Sequence, residues 1–346
     1  MKQLTPDAKG VYLIAVTPFT DSGALDLAST DRMVDFLLEK GVTGLTVLGI
    51  MGEATKLTME ESRTFVKQVL ARVRGQVPVV VGASAPGFAA MKELTDSVMD
   101  LGASGVMVAP PASVRTDDQI VAYFQMVDET LGARVPWALQ DHPVSTTVQM
   151  STSVVLRILK NSPTCVMLKH EDWPGLAKLS AIRAASDRGE VKRVSILTGN
   201  GGGLFLPEEL TRGADGAMTG FAYPEMMVDV VAAHARGDRA RAHDVFGGYL
   251  PLARYGRPAG GGPGGGAPQG RGAGGPADDL FDAYLPLAKY EQQAGVGLAV
   301  RKFLFRERGV IASDFVRKPG PRLSAQDVDD IRFLGKRQGR RLRDLG

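Results

Sequence analysis

The chain has 346 residues, 44% hydrophobic and 23% charged, an ordinary globular composition that can bury a large core as one large domain or two small ones. A formal net charge of +3, with basic residues scattered and clustered only over 336–343 as on a solvated helix end, argues against a nucleic-acid partner, and a single cysteine, Cys165, excludes an intrachain disulfide or a Cys-rich metal centre. No apolar run opens the chain as a signal peptide would, and none is long enough to span a bilayer, so the expectation is a cytoplasmic protein with no membrane partner.

Residues 11–16 are the first strand candidate, ended by Thr17 and Pro18. A helical pattern follows over 27–40, with Met33, Phe36, Leu37 and Leu38 in an apolar stripe and Gly41 at the stop. Residues 44–48 read as the second strand, and Thr58 with Glu61 three positions later is a capping box that opens the next helix. Apolar runs at 77–81, 105–109, 135–140, 164–169, 194–198 and 213–218 complete the set. About eight strands, each followed by a helical pattern and recurring about every 30 residues, are what a TIM (β/α)₈ barrel requires. An open doubly wound sheet competes, but the regular spacing and the lack of a Gly-x-Gly-x-x-Gly turn after the first strand stand against it. The glycine-rich stretch 199–203 follows a late strand with the wrong spacing for a dinucleotide. The expected fold is therefore α/β, a (β/α)₈ barrel over 1–235 with a C-terminal helical region over 236–346.

Residues 256–278 interrupt that region. They are nearly all Gly, Pro, Ala, Arg and Gln, with too little apolar bulk to offset the entropy of ordering, and are expected to be disordered. The flanks nearly repeat each other: 244–255 and 279–290 share a Tyr-Leu-Pro-Leu-Ala core beginning at Tyr249 and at Tyr284. A barrel offers one slot to that segment. The second copy, which leads into the amphipathic stretch 296–306, is expected to fill it.

Chemistry in such a barrel belongs at the carboxyl ends of the strands. Lys169 closes the apolar run of Val166, Met167 and Leu168, where an ammonium is costly to bury and a neutral amine can attack a carbonyl to form a Schiff base. A lysine just past the strand end with its head in solvent is the other reading. The period of two puts Glu171 on the same side as Lys169, with His170 opposite, and pairs Gln140 with His142 in the same way.

At these residues the chain resembles a known family. Gly49, Ile50, Met51, Gly52, Glu53 and Ala54 followed by Leu57 and Thr58, the strand that ends in Lys169, and the proline in Gln140-Asp141-His142-Pro143 are together similar to the dihydrodipicolinate synthase/N-acetylneuraminate lyase family of class I Schiff-base lyases, over nearly the whole chain outside the insertion. The resemblance implies that the loop from Gly49 to Glu53 binds the carboxylate of a 2-oxo acid through backbone N–H groups and that Lys169 condenses with the neighbouring keto carbon. The iminium then acidifies a C3 proton, so that a C3–C4 bond or a C4 substituent can be broken with no metal or organic cofactor. It also implies a small-molecule 2-oxo acid as substrate and a homo-oligomer, a dimer or a tetramer. Ser145, at the position of the synthase's aldehyde-gripping arginine, and Gly199 and Thr219, at strand ends, are further candidate substrate contacts.

The departures from the family bear on the reaction. The family's proton-shuttling tyrosine falls at Gln140, the threonine that relays to it falls at Ile50 or Met51, and a second relay tyrosine falls near Pro111 and Ala112. A glutamine amide has no pKa near neutrality, so it can orient a water but not serve as acid or base, which argues against dihydrodipicolinate synthesis. Residues 140–145, Lys169 with Glu171, and the stretch 217–220 followed by Tyr223 and Pro224 most resemble the branch typified by 2-keto-3-deoxy-L-arabonate dehydratase. That implies dehydration of a 2-keto-3-deoxy sugar acid. A pyruvate-dependent aldolase is the alternative, and a non-catalytic sugar-acid-binding paralogue is the reading from another class. The candidates for proton transfer are Glu171, His142 and a water held by Gln140. An ion pair is the structural reading of Glu171, and capping that of His142.

Overall fold

The computed structural model describes residues 2–172, 175–199, 204–237, 287, 290, 291, 293 and 295–344, the last seven of these as backbone only. Eight parallel strands close on themselves in sequence order: β1 (Gly10–Ile14), β2 (Gly44–Val47), β3 (Val79–Gly82), β4 (Gly105–Val108), β5 (Trp137–Asp141), β6 (Cys165–His170), β7 (Ser195–Thr198) and β8 (Gly216–Ala217), with β8 back against β1. The expected (β/α)₈ barrel is the fold. Around it run α1 (Leu27–Glu39), α2 (Met59–Val73), α3 (Phe88–Asp100), α4 (Asp117–Leu131), α5 (Pro143–Thr146), α6 (Thr152–Asn161), α7 (Leu176–Asp187), α8 (Leu206–Thr211) and α9 (Pro224–Ala235), and the C-terminal extension contributes α10 (Gly297–Glu307) and α11 (Ala325–Asp344). Among the described residues no helix is long and apolar enough to cross a membrane.

Local chemistry explains where these elements begin. Two strands start later than their apolar runs, at Val79 and Trp137, because Pro78 and Pro136 have no N–H to give a ladder; each instead lends its carbonyl, to Leu45 and Val106. Helix α2 opens on the capping box: Thr58 accepts from the Glu61 N–H, and the Glu61 carboxylate accepts from the Thr58 N–H. Such a cap contributes about 1 kcal/mol. Strand β8 is short and meets β1 through glycine, since a Cβ on Gly216 would lie 1.9 Å from the Gly10 carbonyl oxygen.

Residues alternate along each strand between two cores. Tyr12, Ile14, Val80, Met107, Ala138, Met167, Leu197 and Met218 fill the barrel, while Val11, Leu13, Val79, Val81, Leu139 and Leu168 pack outward against the helices. The alternation carries upward, so Gln140 follows Ala138 and Lys169 follows Met167 onto the inner side. Cys165, at the start of β6, is fully buried, and burial pushes its thiol up to about 12.

The insertion 256–278, the flank 244–255 and most of the flank 279–290 lie outside the described residues. Leu287, in the second flank, is fully buried in the outer core. Tyr290, which ends that flank, donates its hydroxyl to Asp330 on α11 at 2.7 Å.

Candidate active site

Strands β5 and β6 run in register with Gln140 opposite Lys169. The Lys169 ammonium lies 2.7 Å from Glu171 Oε1, and the Gln140 amide donates to the same oxygen at 2.9 Å. All three are buried. Lys169 and Glu171 thus share a side of the strand, and the ion-pair reading of Glu171 is realised with the very lysine proposed to react. A buried ion pair adds little to stability against an apolar pair of the same size, so its presence here points to chemistry. Glu171 Oε2 lies 3.8 Å from His142 Nε2. Burial, partly opposed by Glu171, holds the His142 imidazole below its ordinary pKa, so the ring is neutral at pH 7. His142 also heads α5: its carbonyl accepts from the Ser145 and Thr146 N–H groups.

Gly199 lies against Glu171. A Cβ there would fall 2.2 Å from Glu171 Cγ and 2.6 Å from Cδ. Its missing side chain is the space Glu171 occupies, and its N–H extends the ladder to the His170 carbonyl at 2.8 Å. His170 points away from the barrel, with Nε2 3.0 Å from the Gly175 carbonyl oxygen and Nδ1 3.5 Å from Asp141 Oδ2. Behind the site Lys178 joins Asp141 at 2.5 Å and Asp172 at 3.3 Å. Ser145 is exposed on α5. Thr219 is buried past the end of β8, where its carbonyl accepts from the Ile14 N–H at 3.1 Å.

The loop after β2 is built under constraint. Leu48 and Glu53, at its two ends, both have left-handed backbones, with φ of 53° and 56°. For a non-glycine residue that costs about 1–2 kcal/mol each. Gly82 makes the first possible, because a Cβ there would lie 2.1 Å from the Leu48 carbonyl oxygen. Between them the chain makes a 3₁₀ turn in which Gly52 N–H donates to Gly49 and Glu53 N–H to Ile50. Such a turn leaves its first amides, those of Ile50 and Met51, with no acceptor inside it. Thr17 fixes the Gly52 carbonyl from below at 2.6 Å. Met51 packs on the same interior cluster that carries Met107, Met167 and Leu197, while Ile50 is 52% exposed.

The Glu53 side chain does not face that turn. Its carboxylate is buried and held by the Lys302 ammonium at 2.5 Å, the Lys56 ammonium at 3.0 Å and the Arg317 N–H at 3.0 Å. Lys302 is wholly buried on α10, 4.4 Å above the Phe19 ring, and burial draws its pKa down to about 8 against the opposing pull of Glu53. Nothing in the sequence reading above singles out these partners. The signal for Lys302 is a cation between Val300 and Phe303 in an apolar run, a place that requires a buried carboxylate.

Residues 7–254 match the model of the dihydrodipicolinate synthetase family. The L-2-keto-3-deoxyarabonate dehydratase of Azospirillum brasilense is 30% identical over 342 residues, 96% of this chain and 95% of that protein. A 4-hydroxy-tetrahydrodipicolinate synthase of Oceanobacillus iheyensis is 30% identical over 245 residues, 70% of this chain and 80% of its own. The crystal structure of dihydrodipicolinate synthase from Rhodopseudomonas palustris is 44% identical and aligns with a TM-score of 0.84, covering 97% of this chain and 100% of that one. A parallel barrel with a buried lysine on its sixth strand, matched along most of its length in these ways, belongs to the dihydrodipicolinate synthetase family and is a lyase of the aldolase or dehydratase kind.

Proposed function

We propose that this lyase dehydrates a 2-keto-3-deoxy sugar acid through an iminium on Lys169. The observation that carries the reading is the carboxylate of Glu171, 2.7 Å from the Lys169 nitrogen and held by the amide of Gln140 where the synthases use a hydroxyl. The substrate carboxylate rests on the amides of Ile50 and Met51, with Gly49 and Gly52 keeping side chains out of the way. Glu171 takes a proton from Lys169, the freed amine adds to C2, and Glu171 returns that proton to the C2 oxygen, which leaves as water to give the iminium and a free carboxylate. Glu171 then removes a C3 proton. The enamine electrons expel the C4 hydroxyl, which takes the proton and leaves as water. For a five-carbon acid, tautomerisation and hydrolysis of the imine release a 2-oxo acid semialdehyde and regenerate Lys169. His142, neutral and beside Glu171, orients the distal hydroxyls, as do Ser145 and Thr219 at the rim. The dehydratase relative from Azospirillum brasilense, alike along nearly its whole length, supports the same outcome. We propose a homo-oligomer as the working form.

Borohydride added with pyruvate tests the first step. A mass increase on the Lys169 peptide is expected, and Lys169→Ala should lose both adduct and turnover while keeping its far-ultraviolet spectrum. An adduct on no lysine, or on another one, would refute the reading. The Rhodopseudomonas palustris relative, named a dihydrodipicolinate synthase, favours a second reading in which the pyruvate enamine attacks an aldehyde. Products separate the possibilities: semialdehyde without pyruvate from the sugar acid means dehydration, pyruvate release means aldol cleavage, and consumption of pyruvate with aspartate semialdehyde means condensation.

A further inference from the structure

The loop proposed to seat the substrate carboxylate is held in shape from outside the barrel. It is bracketed by two left-handed non-glycine residues, Leu48 and Glu53. Strain of that kind persists only where the surroundings over-determine it. At Leu48 the surroundings are steric and close, the bare backbone of Gly82. At Glu53 they are electrostatic and remote. The carboxylate sits in a pocket closed by Lys302 on α10, Lys56 in the following turn and the backbone of Arg317, and both faces of that pocket converge on Phe19, with Lys302 and the Arg317 guanidinium each 4.4 Å from its ring. Lys302 spends a second hydrogen bond on the Phe315 carbonyl at 2.9 Å, so its ammonium has little freedom to follow a moving loop. Lys302 and Glu53 are 249 residues apart in the chain, and both are sealed from solvent.

We propose that Lys302 is a positioning residue for 2-oxo acid binding: by fixing the Glu53 carboxylate it holds the left-handed end of the loop and so aims the Ile50 and Met51 amides at the substrate carboxylate. The inference rests on the reading of that loop given under the proposed function. It makes the C-terminal extension part of the binding apparatus, although no atom of Lys302 touches substrate. It also separates binding from chemistry, because every 2-oxo acid shares the carboxylate whatever lies beyond C3.

The test is borohydride trapping of the full chain across a pyruvate series, with hydrogen exchange of the peptide covering residues 49–53 in parallel. In Lys302→Met the half-saturating pyruvate concentration should rise about tenfold or more, with the extent of adduct at saturation unchanged. Lys302→Arg, which keeps the charge, should recover most of the shift. The amides of the loop should exchange faster in Lys302→Met than in the natural chain. A purely structural role would lower the melting temperature and the final extent of adduct but leave half-saturation where it was, and that result overturns the proposal. If Lys302→Met does not fold, Glu53→Gln takes its place, with the same shift expected and the same unchanged value decisive against. If the natural chain forms no adduct, the reading of the active site falls, and exchange in the loop still decides this one: equal rates in the natural chain and the variant refute it.

Discussion

Glu171 faces three neighbours at once. Lys169 and Gln140 share one of its oxygens and His142 approaches the other, while the floor beneath its methylene is the bare Cα of Gly199. A methyl group on that floor cannot be absorbed by a flexible neighbour, since Glu171 is itself buried and held by Lys169 and Gln140. Gly199→Ala should therefore displace the carboxylate by about 1 Å and lower kcat about 100-fold. The borohydride adduct should still form, because Lys169 stays in place. Steady-state kinetics beside trapping checks this, and a variant with natural kcat would show that the carboxylate's position is not limiting. The pairing of Lys169 with Glu171 could be seen in the sequence from strand alternation alone. The role of Gly199 could not, because nothing local shows which side chain will lean across a glycine on the next strand.

Between elements, one carboxylate serves two structures. Glu61 closes the capping box of α2 and also receives both arms of Arg317 from the C-terminal extension, 256 residues away. The Arg317 guanidinium is the main cause that holds the Glu61 carboxyl down at about 2, below its ordinary 4.5. The folded-state pKa is the lower one, so the stabilisation is complete above about pH 4.5 and is lost as pH falls from there toward 2. The melting temperature of Glu61→Gln should lie below that of the natural chain at pH 6, and the gap should narrow steadily by pH 3. A gap independent of pH would place the effect elsewhere. The capping half of this role was legible from Thr58 and Glu61 at their spacing of three. The bridging half was not, because an arginine near the end of the chain carries no mark of the helix it will reach. The same holds for Glu53, whose place in a glycine-flanked motif gives no sign of its side chain's partner on α10.

For the molecule as a whole, the barrel was readable because its strands are buried on both faces and announce themselves as short apolar runs at even spacing. The errors were at strand starts, where Pro78 and Pro136 delay the ladder. The near-repeat around the insertion bears on the same scale. Leu287 is buried in the outer core and Tyr290 reaches α11, so the copy at 279–290 carries packing that the chain uses. Removing residues 244–278 should leave a chain that folds and melts close to the natural one. Removing 256–290 should cost most of the soluble yield, as loss of a buried leucine alone is worth about 2–5 kcal/mol. Similar yields from the two deletions would mean that either copy can fill the place. Cys165, the chain's one thiol, lies at the foot of the strand that bears Lys169 and is shut away from reagents in the native fold. A maleimide dye added to the intact enzyme should thus meet silence, and the slow growth of its signal would time how often the sixth stave of the barrel swings open.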